Sequence, residues 1–371
     1  MEDYKKGQVV VILSPQDWGH QFISKHHYAV EFSKQYDTIF VSPTVNKAGK
    51  FSFSKTIIDK NTYHLFVAQM ILPFPDWFRF KFNKFYRKIN RIVLNQLLKI
   101  NFDKEIKLII DFGCHKAIDR LDKFQNAKSI YFPVDDYLDL PVETRYADKI
   151  FTVSSKIQEK FEQSNIPITW INHGLSAVFA EKAKVKLAEL KKDDEPKEIV
   201  SHSIGYAGNL SIPFLDRVAV LKTINALPDF HFHFFGNIVS NEEEAKKFIN
   251  QLKKIDNVTL HGQLSTEEYA SQIFQMDMLW LCYKSDGKNY HLENSHKILE
   301  YLATGLPIVS SPIKYLKDAG PDFIYQYKNK KHAKIIKDLK SKKEDLEVMI
   351  QRIEFSLGST YLENVKILLR Q

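Results

Sequence analysis

The chain has 371 residues and 43.3 kDa, a length that suits two domains; 44% hydrophobic and 26% charged residues with 13 Gly and 13 Pro exclude collagen-like, low-complexity and wholly disordered classes. Two cysteines, Cys114 and Cys282, are too few for a disulfide framework or a Cys-rich zinc module and point to a reducing compartment. Net charge is +8, with 25 basic against 19 acidic residues over 1–180 and 28 against 26 over 181–371, so the excess is N-terminal.

Near the start, residues 9–13 form an apolar run too short for a signal segment, and no run nears the ~18 apolar residues of a spanning helix. The expected location is therefore cytoplasmic, with any membrane contact peripheral, at the inner face of the plasma membrane. Short apolar strands alternate with helical patterns, as in a parallel sheet with crossover helices. QVVVILS predicts a first strand, residues 28–35 a helix, and DTIFVSP a second strand; TYHLFVA, IKLIIDFG, KSIYFPV, KIFTVSS and ITWINHG follow as strands. Their polar or Gly-bearing carboxyl ends are where ligands bind in such sheets. Trp18, Gly19 and His20 lie just past the first strand, where a glycine lets backbone approach a phosphate.

Residues 77–99, WFRFKFNKFYRKINRIVLNQLLK, carry seven basic residues, no acidic one and six aromatics. Phe78, Phe82, Phe85, Ile89, Ile92 and Leu97 make one apolar stripe at helical spacing, with Lys81, Lys84, Lys88 and Arg91 beside it. Such a basic amphipathic helix either packs its stripe on a core and solvates its charge, or docks on an anionic membrane with Trp77 in the interface. No nucleic-acid motif accompanies it, so nucleic acid is not an expected partner.

The charged, Pro-terminated stretch EKAKVKLAELKKDDEPKE at 181–198 reads as a domain boundary. Beyond it the alternation resumes: SIGYAGNL, a helix over 216–227, FHFHFFG, a helix over 241–255, VTLHGQL, a helix over 266–276, MLWLCY, a further helix and PIVSSP. Two similar α/β halves result, the first over 1–180 and the second over 181–352. Residues 353–371 form a tail expected to pack back on the first domain.

The most informative stretch is NSHKILEYLATGLPIVSS, residues 294–311. Asn294 or Ser295 can cap a helix beginning near His296, Gly305 suits a left-handed position after it, and Pro307 forbids continuation. Lys297 and Glu300, three apart, share a helical face near that N-terminus. A lysine for phosphate and a carboxylate for sugar hydroxyls would make a nucleotide site; an ordinary surface ion pair is the plainer alternative.

This stretch resembles the donor-site signature of GT-B glycosyltransferases of the family 4 type, with Lys, then Glu-Tyr-Leu-Ala, then Gly-x-Pro and a short strand. The resemblance implies two Rossmann-like domains facing a cleft, an N-terminal acceptor domain over 1–180 and a C-terminal nucleotide-sugar domain over 181–352, with Glu300 on the donor ribose and Lys297 on the diphosphate. IGYAGNL (204–210) opens the second domain as in that family, placing Gly208, Asn209, Arg217 and Tyr283 at the donor. VTLHGQL (258–264) resembles the base-binding loop, with Gly262 and Leu264, and Asn172-His-Gly-Leu175 with Phe179 resembles the segment closing the first domain. His296, Ser295, Asn294 and Glu293 complete the donor set. There are departures: the usual first glutamate position holds Leu292, with Glu293 beside it; Asn209 replaces a basic residue; and SIPFLDR lacks the expected lysine, which Arg217 can replace. Asp135 and Asp136 stand where many members carry a histidine, suited to serve as general base or to stabilise positive charge on the sugar, with His115 a further candidate.

The implied function is transfer of a sugar from a UDP- or GDP-sugar to a glycan or lipid-linked acceptor in cell-surface polysaccharide synthesis, without a metal. Alternatives are a GT-B sugar-nucleotide epimerase or hydrolase, and a non-catalytic partner subunit. Asp135, Asp136 and Asp139 could instead hold Mg²⁺ or Mn²⁺. His26 with His27, and His231 with His233, lack a nearby third ligand and read as packed or solvated side chains. No G-x-G-x-x-G follows the first strand and no Walker pattern occurs, which removes the main support for NAD and P-loop readings.

Overall fold

The computed structural model describes residues 7–19, 22–59, 64–113, 118–124, 127–134, 146–192, 202–284, 294–312, 323–326, 332–340 and 344–370. They fall into two compact units, Met1–Asn172 with Asn364–Gln371, and His173–Glu363. No helix among the described residues is long and apolar enough to cross a membrane.

In the first unit the elements run β1 (Gln8–Leu13), α1 (Ser24–Ser33), β2 (Asp37–Val41), β3 (Val45–Asn46), β4 (Ser52–Asp59), β5 (Leu65–Leu72), α2 (Asp76–Lys81) and α3 (Asn83–Phe102). There follow β6 (Glu105–Asp111), β7 (Lys128–Tyr131), β8 (Lys149–Thr152), α4 (Ser155–Glu159) and β9 (Ile168–Trp170). The sheet order is β3-β5-β2-β1-β6-β7-β8-β9. Strand β1 pairs in parallel with β2 on one side and β6 on the other, and Val9, Val10, Val11 and Ile12 are fully buried. Strands covered on both faces read as continuous apolar runs, which is why β1 and β6 were visible in the sequence.

Three differences from the sequence reading appear here. Strand β4 runs antiparallel to β5, adding a hairpin where only one strand was expected. Its length includes Lys55 and exposed Ile57, so no buried apolar run marks it. Helix α1 begins at Ser24, earlier than position 28, because the polar segment before it supplies its own partners: the Ile23 N–H donates to His26 Nδ1 at 3.2 Å. On α3 the buried residues are Tyr86, Arg87, Asn90, Leu94 and Leu98. The apolar stripe, for which core packing and membrane docking were both open, contributes none of these, and Phe82, Phe85 and Ile92 are exposed. Polar anchoring explains the orientation: Tyr86 donates to Asn46 Oδ1 at 3.0 Å, Thr44 donates to Asn90 Oδ1 at 3.1 Å, and Arg87 donates to the Ile118 carbonyl.

The second unit holds α5 (Ala177–Leu190), β10 (Ser203–Ala207), α6 (Arg217–Ala226), β11 (His231–Phe235), α7 (Glu243–Leu252), β12 (Val258–Gly262) and α8 (Thr266–Ile273). It continues with β13 (Met278–Leu281), α9 (His296–Leu302), β14 (Ile308–Ser310), β15 (Tyr325–Gln326), α10 (His332–Lys340) and α11 (Leu346–Leu357). Helix α12 (Tyr361–Leu369) begins in this unit and continues into the first. Its sheet is parallel throughout, in the order β12-β11-β10-β13-β14-β15. Numbered within the unit this is 3-2-1-4-5-6, the Rossmann order, whose switch point lies between β10 and β13. The charged segment after 180 is not a linker between the units: α5 spans much of it, capped by Ser176 accepting from Phe179 N–H, and the division falls between Asn172 and His173. Alternating charge marks the solvent side of α5, while Phe179, Ala180, Ala183 and Leu190 are buried.

Candidate functional site

The carboxyl ends of β10, β11, β12 and β13 bring together Gly208, Gly262 and the Lys297–Glu300 pair singled out in the sequence, with Gly236 among them. Past β10, Gly208 leaves a surface where an added Cβ would lie 3.3 Å from Lys297 Nζ and 2.9 Å from the Tyr206 hydroxyl. Gly236, past β11, has φ +136°, and a Cβ there would lie 2.3 Å from the Gly208 carbonyl oxygen. Only glycine permits that crossing of two loops. Gly262 closes β12 at φ +72°, and Leu264 follows it against the core. Tyr283, past β13, is held by Ser311, whose hydroxyl accepts from the Tyr283 N–H and donates to its carbonyl, both at 2.7 Å.

Helix α9 carries the charges. Ser295 is its N-cap residue but makes no side-chain capping bond. Asn294 is fixed from its own unit, since His173 Nε2 donates to the Asn294 carbonyl at 2.9 Å, and His296 meets the His173 ring edge to face. Buried Ile298, Leu299, Tyr301 and Leu302 face the core; Tyr301 accepts from the Ala207 N–H at 2.6 Å, tying the helix to the end of β10. Lys297 and Glu300 are left half-buried on the other side.

Glu300 Oε2 accepts the Tyr269 hydroxyl at 3.1 Å. Burial pushes the Glu300 carboxyl up to about 7, opposed by the Lys297 charge and the Tyr269 hydrogen bond. Tyr269 lies on α8 between Phe179 and Phe235, with ring centroids 5.4 and 5.8 Å away, and α8 begins with a capping box between Ser265 and Glu268. The sequence reading missed Tyr269 and Gly236. A glycine ending the FHFHFFG strand was a visible signal for the second; nothing local marks the first.

Asn209 is exposed, its Oδ1 accepting from Ser211 N–H at 2.9 Å. Arg217, expected to stand in for a missing lysine, is engaged elsewhere: it donates to Glu242 Oε2 at 2.8 Å and to the Ser211 carbonyl at 3.1 Å, with Glu244 at 3.8 Å. The Arg217 hydrogen bond lowers the Glu242 carboxyl. Among the membrane-facing candidates, Arg91 is likewise taken, by Asp119 at 2.6 Å.

In the first unit, Trp18 packs among Phe22, His26 and Phe40 at 5.0–5.1 Å. His26 accepts from Ile23 N–H and donates to the Asp17 carbonyl at 3.1 Å, so it is a packing residue, and burial lowers it. A Cβ on Gly19 would meet nothing within 4 Å. His20, His115, Cys114, Asp135, Asp136, Asp139, Leu292 and Glu293 lie outside the described residues. Cys282 is buried, its thiol donating to the Asp216 carbonyl at 3.8 Å. His231 and His233 gain a neighbour that the sequence did not reveal: His233 Nδ1 lies 3.0 Å from His261 Nε2. Burial, then His231 and His261, lower His233 to about 4. No group of three or more His, Cys, Asp or Glu among the described residues is arranged to hold a metal ion. A cavity of about 470 Å³ lined by Asp122, Lys128, Asp148 and Lys149 sits at the amino ends of β7 and β8, the end of the sheet opposite to where such folds bind ligands.

No family model matches the chain, and no curated protein matches it in sequence. Solved structures do match over nearly the whole length. Anabaena Alr3699/HepE in complex with UDP and glucose is 11% identical, with a TM-score of 0.63, covering 97% of this chain and 98% of that one. A glycosyltransferase from Rickettsia africae is 13% identical at TM-score 0.62, covering 99% and 98%. An α,α-trehalose-phosphate synthase (UDP-forming) from Burkholderia xenovorans, in complex with glucose-6-phosphate, is 10% identical at TM-score 0.64, covering 98% and 99%. The chain has the GT-B fold. Within that fold, the Lys297–Glu300 pair occupies the switch-point end of the second Rossmann-like unit.

Proposed function

We propose that this GT-B chain is a glycosyltransferase that takes a sugar from a nucleoside-diphosphate donor bound on the second unit. The observation that carries the reading is Glu300, its carboxylate held by Tyr269 and near Lys297, which itself lies against Gly208 at the carboxyl end of a Rossmann-ordered sheet. In its ionised form that carboxylate accepts hydrogen bonds from the two ribose hydroxyls, and the ammonium of Lys297 faces the diphosphate. When the bond from the sugar to the phosphate oxygen breaks, negative charge grows on the leaving diphosphate, and a fixed cation stabilises it. The acceptor hydroxyl forms the new bond to the sugar and gives up its proton to a base, for which Asp135, Asp136 and His115 are the candidates on the first unit. Complexes of Alr3699/HepE with UDP and with UDP-glucose support a uridine nucleotide as the first donor to test.

On the acceptor side we propose a glycan or lipid-linked saccharide in cell-surface polysaccharide synthesis, with α2 and α3 as the contact to a membrane. Family 4 membership is proposed on the NSHKILEYLATGLP stretch alone. The test is a calorimetric and thermal-shift panel of UDP, GDP, CMP and their sugars, followed by transfer to lipid-linked and soluble acceptors. A saturating nucleotide at 100 times its dissociation constant adds about 2.7 kcal/mol. No shift with any nucleotide would overturn the donor assignment; hydrolysis without transfer would favour the hydrolase reading.

A further inference from the structure

Helices α2 and α3 present an apolar surface that the fold does not use. Trp77 is 57% exposed, Phe80 71%, Phe82 45% and Phe85 58%. No residue of α2 is buried, and α3 faces the unit with Tyr86, Arg87, Asn90, Leu94 and Leu98. Cations are interleaved with these rings. Arg79 lies over the Phe80 ring at 4.7 Å and Lys81 over Phe82 at 5.8 Å. Arg79, Lys81, Lys84 and Lys88 are exposed and make no ion pair among the described residues. Asp76, at the head of α2, is the single carboxylate of both helices.

We infer that this surface seats the protein on an anionic lipid bilayer, with Trp77, Phe80 and Phe85 entering the interface and Arg79, Lys81, Lys84 and Lys88 at headgroup level. Three observations select that partner. Four open aromatic side chains lie on one short segment, and Phe78 joins the rings of Trp77, Phe82 and Phe85 into an apolar patch of a kind that marks an interaction site. A second copy of the chain would bring the same cations against themselves in a two-fold contact, which repels. A lipid surface accepts both features at once, since aromatic rings with cationic neighbours partition to the interface and anionic headgroups neutralise the charge. The polar anchors beneath α3 hold the helix with its apolar stripe outward, so the exposure is built into the unit. This surface is independent of the donor site on the other unit.

The experiment is flotation of the full chain with phosphatidylcholine vesicles, with and without phosphatidylglycerol. The expected result is recovery with the anionic vesicles only, weakening as added salt shortens the screening length below about 8 Å. The variant Arg79→Gln, Lys81→Gln, Lys84→Gln, Lys88→Gln should bind more weakly by about fivefold for each cation removed, the equivalent of about 1 kcal/mol apiece. Trp77→Ser with Phe80→Ser should also lose binding while keeping its thermal midpoint, and the blue shift of tryptophan emission on adding vesicles should vanish in Trp77→Phe. Equal recovery with neutral vesicles, no recovery of the wild type, or unchanged binding by both multiple variants would overturn the proposal. So would capture of an oligonucleotide, or dimerisation lost in the double serine variant, without flotation. The wild-type salt and lipid titration stands on its own should a variant fail to fold.

Discussion

The Tyr269 hydroxyl donates to Glu300 Oε2 at 3.1 Å, so a residue on α8 joins Lys297 in opposing the effect of burial on the carboxyl of α9. Without that bond and the Lys297 charge, burial would drive the carboxyl higher still, and on the proposed reading a neutral acid is the poorer acceptor for two ribose hydroxyls. The pair converts a buried acid into a usable acceptor.

Replacing Glu300 by Ala should weaken UDP binding by about 1.5–3 kcal/mol, the contribution of hydrogen bonds to a charged group, with the fold retained. Isothermal calorimetry on the folded variant measures it. Unchanged affinity would remove Glu300 from the donor site.

Glu300 also predicts a pH signature. Its carboxyl stands at about 7 in the fold against an ordinary 4.5, so between those values the native state holds more protons than the unfolded chain. The stability this contributes is complete below about 4.5 and is lost as pH rises through about 7. Glu300→Gln should flatten that segment of the stability profile and raise stability above it, as read by urea unfolding across the window. Nucleotide affinity should run the opposite way, rising with pH up to the folded value by as much as about tenfold per unit, and Tyr269→Phe should move that midpoint upward.

Gly236→Ala places a Cβ 2.3 Å from the Gly208 carbonyl at a φ of +136°. Both partners are backbone, so the loops must separate. Destabilisation of more than about 1 kcal/mol and loss of nucleotide binding are expected, checked by thermal melting and calorimetry. A variant with wild-type affinity would show that the loop crossing does not shape the site.

On the proposed reading transfer should survive chelation by EDTA, with Lys297 neutralising the departing diphosphate. Activity that returns only with Mg²⁺ or Mn²⁺ would refute this and direct attention to Asp135, Asp136 and Asp139. Lys297→Ala should weaken UDP far more than uridine, the difference isolating the phosphate contribution.

Much of the fold was legible because strands buried on both faces carry their own signal: VVVIL and MLWL read as strands whatever surrounds them. The α9 stretch was legible for a different reason, since Gly305 and Pro307 punctuate it. What stayed hidden depended on partners distant in the chain. The stripe on α3 has helical period whether it faces core or solvent, and only Asn46, Thr44 and Ile118 decide which. Arg217 looked available until Glu242 came beside it, and His261 joined His233 only through the pairing of β11 with β12. Strand β4 is too exposed to announce itself, and α5 looked like a linker because its solvent face is charged.

Asn364 donates through Nδ2 to the Tyr28 hydroxyl and to the Asn172 carbonyl, both at 2.9 Å, and all three residues are buried. Residues 364–371 are thus a structural part of a unit whose other portion is residues 1–172, while residues 173–363 are contiguous. On the ribosome this inverts the usual order in which the N-terminal domain finishes first. The second unit has its whole chain available while the first still lacks the asparagine that closes over Tyr28, so a pause late in translation leaves a complete second unit beside an incomplete first.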